Sequence, residues 1–238
     1  MGLGKQIQIY GDSIMKGVQL DTASERYYLP KENSFALFQE EYPLDIHNNS
    51  KFGCTIEKGC QQLEKSLNKG LSCDMVLLEY GGNDCDYDWE KVAENPEKEH
   101  LPHTEIHTFE KVYRKMLSML KARGVTPILM SLPPIDAEKY LNWICRTGLS
   151  SENILKWLGD VQMIYRFQEL YSNAVVKIAR ETNTLLIDVR SVFLDKHSFK
   201  NLICEDGIHP NQEGQKLMKQ VFEEFTNNYL NGTTSAFA

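Results

Sequence analysis

Five short apolar runs, each closed by glycine, proline or a polar residue and most of them followed by an amphipathic stretch, constrain the fold of this chain more than any other feature. The spacing predicts strands at about Gln6–Tyr10, Leu44–Asn48, Met75–Tyr80, Pro127–Leu132 and Leu185–Val189. A strand with one wet face alternates polar and apolar residues, but Met75–Val76–Leu77–Leu78 is apolar throughout and must be covered on both sides. Parallel neighbours also need long crossovers, which the intervening helical patterns supply. The chain therefore predicts an α/β fold in which a five-stranded parallel sheet lies between two helical layers.

The helical stretches carry their own punctuation. Asn33 suits the cap of a helix from about Ser34, with Phe35, Leu37 and Phe38 inward and Pro43 as its stop. Thr55 suits the next cap, with Ile56, Cys60, Leu63 and Leu67 on one stripe and Gly70 at the end. Further helices are expected over 108–123 and 160–182. A last one, after Pro210, carries Leu217, Met218, Val221, Phe222 and Phe225 inward.

Two segments interrupt the alternation. Residues 85–107 are polar, with Tyr87, Trp89, His100, His103 and His107; residues 135–159 lack a clean period and read as a short helical excursion holding Trp143, Cys145 and Trp157. With no repeat and no linker, 1–238 reads as one domain with two insertions, and 231–238 as a frayed tail.

Composition removes several classes of function. A net charge of −7 and a pI near 5.4 argue against nucleic acid or an anionic membrane surface as partner. No apolar run approaches the ~20 residues of a membrane helix, and no leader-like apolar core follows Lys5. The 6 cysteines have no CxxC spacing, which argues against disulfide staples and a structural zinc site. These features together place the expected location in the cytoplasm. The three histidines of the 85–107 insertion sit among Glu97, Glu99 and Glu105 and read as solvated side chains, not metal ligands.

Chemistry is concentrated where such a sheet gathers ligands, at the carboxyl ends of its strands. Gly11–Asp12–Ser13 follows the first run, Gly53 the second and Asn83 the third, while Asp206–Gly207–Ile208–His209 precedes the last helix. A serine at a strand-to-helix corner is a candidate nucleophile, yet Asp and Ser are also good helix caps, and on the tripeptide alone the cap is favoured. A serine hydroxyl needs a base, and the base needs a third group to hold its tautomer. His209 and Asp206 have the spacing for that pair. The backbone N–H groups of Ser13 and Gly53 and the Asn83 amide are candidate donors to an oxyanion, while Asp12 reads as a residue that shapes the corner.

Taken together, Gly11–Asp12–Ser13–Ile14, the segment from Asn48 through Gly53 to Thr55, Gly81–Gly82–Asn83–Asp84 and Asp206–Gly207–Ile208–His209–Pro210–Asn211 resemble the four sequence blocks of the SGNH/GDSL hydrolase family, in order. The resemblance spans about Gln6 to Tyr229. It implies a flavodoxin-like sheet and a serine esterase mechanism on small-molecule esters or thioesters, without metal or cofactor. Carried over by motif, Ser13 is the nucleophile, His209 the base and Asp206 its partner; Ser13, Gly53 and Asn83 supply the oxyanion hole. Block two, with Lys51–Phe52 before Gly53 and Cys54 after it, matches most loosely. A non-catalytic ligand-binding module on the same fold is the alternative. A dinucleotide protein fits less well, because no GxGxxG follows the first run.

Overall fold

The computed structural model describes residues 5–31, 33–42 and 44–232. Its seven strands are β1 (Gln6–Tyr10), β2 (Gln19–Asp21), β3 (Arg26–Tyr28), β4 (Asp45–Asn48), β5 (Met75–Leu78), β6 (Thr126–Met130) and β7 (Leu185–Ile187). Five of them form the parallel sheet, in the order β4-β1-β5-β6-β7, and β2 pairs with β3 as an antiparallel hairpin outside it. In sheet strands alone the order is second, first, third, fourth, fifth, the doubly wound order whose switch point lies between the first and third strands. Ser13 follows one of those strands and Asn83 the other.

The helices are α1 (Ser13–Lys16), α2 (Ser34–Glu41), α3 (Ile56–Asn68), α4 (Trp89–Glu94), α5 (Ile106–Lys121), α6 (Ala137–Cys145), α7 (Ser151–Leu158), α8 (Gln162–Glu181), α9 (Val189–Leu194) and α10 (Gln212–Leu230). β5 shows how the layers form: Val76 and Leu78 join the core under α3, α5 and α8, while Met75 and Leu77 join the core under α2, α9 and α10. A third cluster packs the insertions together through Trp89, Val92, Tyr140, Leu141 and Ile154. Among the described residues no helix is long and apolar enough to cross a membrane.

Several expectations change in detail. The element after β1 is a single turn of helix, closed by Gly17 at φ 78°, and the hairpin precedes the true crossover helix α2. Asn33 does cap α2, its Oδ1 accepting from Ala36 N–H at 3.0 Å. The side chains of Phe35 and Leu37, the stop at Pro43 and tail residues 233–238 lie outside the described residues. Thr55 makes no side-chain cap bond to α3; the Asp84 carboxylate reaches across instead and accepts from Ile56 N–H at 3.0 Å. The 135–159 segment forms two helices, α6 and α7, each with a side-chain cap from Asp136 and Ser150. Strands β5, β6 and β7 stop short of Tyr80, Leu132 and Val189, and Val189 begins α9.

Gly59 on α3 faces Tyr80, and a Cβ there would stand 2.3 Å from the Tyr80 hydroxyl. Alanine at a helix-interior glycine ordinarily stabilises by about 1 kcal/mol, but overpacking a buried contact costs about 1–3 kcal/mol. Gly59→Ala should therefore lower the melting temperature; a rise would show that Tyr80 has room to move.

Candidate active site

The tripeptide after β1 divides its two roles between neighbours. Asp12 is the cap of α1, its Oδ1 accepting from Ile14 N–H at 2.8 Å. Ser13 is therefore not needed as a cap. Its Oγ stands 2.8 Å from His209 Nε2, and His209 Nδ1 stands 2.6 Å from Asp206 Oδ2. A carboxylate can only accept, so Nδ1 carries the proton and Nε2 is left to accept from the serine hydroxyl.

The turn that holds Asp206 and His209 is built by its own backbone. Asp206 Oδ1 accepts the N–H groups of Ile208 and His209 at 3.0 and 3.1 Å. Cys204 N–H donates to the His209 carbonyl, and Ile203 bridges to Pro210. Gly207 sits at φ 77°, where a Cβ would meet the Tyr140 amide nitrogen at 2.4 Å, so only glycine fits. Burial alone would raise the Asp206 carboxyl, but the bonds from His209 and the two amides hold it below its ordinary range.

Asn83 arrives from the loop after β5. Its Nδ2 donates to Asp12 Oδ2 at 2.9 Å, which uses one of two N–H donors and orients the other. The Asn83 carbonyl accepts from His103 Nδ1 at 2.9 Å, so His103 helps to hold this loop. His100 bonds the Asn95 carbonyl at 3.0 Å and meets the Trp157 ring edge-on, so two of the three insertion histidines have structural partners. Among the described residues no group of three or more His, Cys, Asp or Glu side chains is arranged to hold a metal.

Beneath the corner lies a second carboxyl group that sequence reasoning did not single out. Glu79, directly after β5, is fully buried; its Oε2 lies 3.4 Å from Asp12 N and its Oε1 has no hydrogen-bond partner among the described residues. Burial, and then the neighbouring Asp12 charge, push Glu79 well above the usual carboxylate range. Burial also raises Asp12, against the bonds that Ile14 and Asn83 donate to it. Two adjacent buried carboxylates do not both ionise, and Asp12 holds the donors, so Glu79 holds the proton. The only sequence signal for it was an acid directly after a fully apolar run.

Ser13, Asn83 and His209 open onto one cavity of about 80 Å³, walled by Ile14, Leu132, Pro133, Ile135, Ile164 and Phe167, with Glu79 and Asp86 among its polar lining. Asp86 accepts from Tyr140 Oη at 2.7 Å and Trp89 Nε1 at 2.8 Å. Gly53 is not part of this wall. It lies at φ 65° on the loop after β4, beside Phe52, whose ring is stacked 6.2 Å from that of His209. Trp157 joins the cluster of the insertions, whereas Trp143 lies against Tyr27, itself 5.1 Å from the His209 ring. Burial pushes the thiol of Cys54 up and that of Cys204 to about 11, so both stay protonated near neutrality and make poor nucleophiles.

The model of the GDSL-like lipase/acylhydrolase family matches residues 9–217. A GDSL esterase/lipase of Arabidopsis thaliana, CPRD49, is 23% identical over 190 residues, covering 77% of this chain and 67% of its own. Among solved structures, a catalytic mutant of Axe2, an acetylxylan esterase from Geobacillus stearothermophilus, superposes with a TM-score of 0.66 at 18% identity, over 94% of both chains. The lipase/acylhydrolase of Enterococcus faecalis gives 0.63 at 18% identity, over 94% of this chain and 95% of its own. These structures share the fold.

Glu79 makes the site sensitive to pH in a definite direction. It titrates near 4.3 when unfolded and well above that when folded, so the native state binds more protons across that window. Its contribution to stability therefore falls as pH rises. Urea unfolding should show the wild type losing more stability between pH 5 and pH 8 than Glu79→Gln does. Equal losses would place the proton elsewhere.

Proposed function

This chain belongs to the GDSL-like lipase/acylhydrolase family and is an ester-hydrolysing enzyme, and on that premise we propose that Ser13 is its nucleophile, His209 its general base and Asp206 the group that orients His209. The supporting observation is the continuous chain of bonds from Ser13 Oγ through His209 to Asp206, at 2.8 and 2.6 Å. Ser13 Oγ attacks the ester carbonyl carbon while its proton passes to His209 Nε2. The oxyanion that forms accepts from the Ser13 backbone N–H and from the second N–H of Asn83. Gly53 N–H is the proposed third donor. Collapse breaks the ester bond, and His209 returns the proton to the departing alcohol or thiol. Water then repeats the sequence on the acyl-enzyme and releases the acid.

The acyl group occupies the cavity beside Ser13. Its volume, about 80 Å³, and its apolar walls suit a short acyl chain, with room for several times the ~10–15 Å³ that one water needs. We read 1–238 as one domain in which the 85–107 and 135–159 insertions supply part of that wall, through Tyr87, Trp89 and Tyr140. A cytoplasmic location is the reading that six free cysteines support.

Ser13→Ala should reduce the hydrolysis of p-nitrophenyl acetate by roughly 10⁴-fold or more, and turnover at the wild-type rate would overturn the assignment. Asn83→Ala should lower kcat by about 10²- to 10³-fold with a smaller change in KM. A variant of normal activity and reduced melting temperature would leave Asn83 a purely structural role.

A further inference from the structure

The acyl cavity accounts for only one half of an ester. The other half leaves from the side on which His209 delivers its proton, so the surroundings of the His209 ring outside the cavity define the leaving-group site. Three aromatic side chains from distant segments converge there. Tyr27 comes from β3, Phe52 from the loop after β4 and Trp143 from α6. None of the three lines the acyl cavity, although His209 does.

Tyr27 lies 5.1 Å from the His209 ring and 5.2 Å from Phe52, and Trp143 meets Tyr27 edge-on at 6.0 Å. Phe52 is 54% exposed and runs nearly parallel to the His209 ring, at 15°. Single exposed aromatics are common; an exposed ring aligned with the base of the reaction is a placement that a ligand can use. The Arg146 guanidinium covers the Trp143 face at 3.6 Å, so Trp143 braces Tyr27; Phe52 is the exposed ring, and Tyr27 stands half-buried behind it with its hydroxyl toward Asp206.

We propose that Tyr27 and Phe52 form a leaving-group shelf that binds the alcohol half of the ester by a ring face, so that esters of ring-bearing alcohols are preferred to those of open-chain alcohols of similar size. This rests on the hydrolase mechanism above. A ring laid on Phe52 buries its face in one rigid contact, whereas a flexible chain loses rotamer freedom to cover the same area. Aryl and sugar rings both offer such a face, to π-stacking in one case and through C–H groups in the other.

Acetates of benzyl alcohol, n-hexanol and a methyl xylopyranoside separate these cases on the full-length enzyme. All three pass through the same acetyl-enzyme, so deacylation is common and discrimination between alcohols is read in kcat/KM. In Phe52→Ala the benzyl-to-hexyl ratio of kcat/KM should fall by about 3- to 10-fold, as expected for loss of one aromatic contact. Tyr27→Leu, which keeps bulk without a π-face, should move the ratio the same way. Thermal melting of each variant reports whether the fold is retained. A parallel fall for the xyloside ester supports a shelf open to both kinds of ring, and a fall in one ring ester alone supports the shelf and identifies its ring. Ratios unchanged in both folded variants overturn the shelf while leaving the hydrolase assignment intact. A wild-type enzyme that hydrolyses none of the three acetates overturns both.

Discussion

A carboxylate shut away from water must be met by donors, and Asp12 is met by two that belong to opposite halves of the site. Ile14 N–H comes from the corner that carries Ser13, and Asn83 Nδ2 comes from the loop after the neighbouring strand. One buried side chain thus fixes the relation between the hydroxyl proposed to attack and the amide proposed to receive the oxyanion. Glu79 packs directly beneath and remains tolerable there as a neutral group. A second negative charge at that depth would oppose the charge that the proposed oxyanion donors would stabilise.

The sheet makes this meeting possible. β1 and β5 are adjacent and parallel, so the loops that leave them emerge side by side at the same edge. The Gly81–Asp84 turn then ties that edge together in two directions: Asn83 reaches Asp12, and Asp84 reaches the N-terminus of α3. Burial pushes Asp84 up to about 7, a cost borne at a helix end that also anchors the loop. His209 is brought to the same edge by a four-residue turn that combines internal hydrogen bonds with a brace from the start of α6, where Asp136 N–H donates to the Gly207 carbonyl at 2.8 Å.

Much of this was legible in the chain. Apolar runs with helical spacers specify a parallel sheet, and Ser13 and Asn83 stood out because strand ends are where such a sheet gathers polar groups, whereas Asp206 and His209 stood out by their spacing before the last helix. What was not legible depended on contacts between distant residues. Asp84 rather than Thr55 caps α3 because a carboxylate from another loop outcompetes a local hydroxyl, and no local pattern reveals that. Gly53 was placed by order in a motif, and it is not among the residues that line the cavity. Glu79 was hidden because a buried acid at a strand end looks like any turn residue until its neighbour is known to be another acid. Tyr27 and Phe52 carried no signal, since only the hairpin and the β4 loop bring them to His209.

The acyl-enzyme itself gives the most direct measurement. Rapid mixing of the protein with p-nitrophenyl acetate, acid quenching and peptide mass analysis should find an acetyl group on the hydroxyl of Ser13, formed far more slowly in His209→Ala, which lacks the base that activates that hydroxyl. Hydrolysis that proceeds with no covalent adduct, or with the adduct on Cys54, Cys204 or any residue other than Ser13, would contradict it.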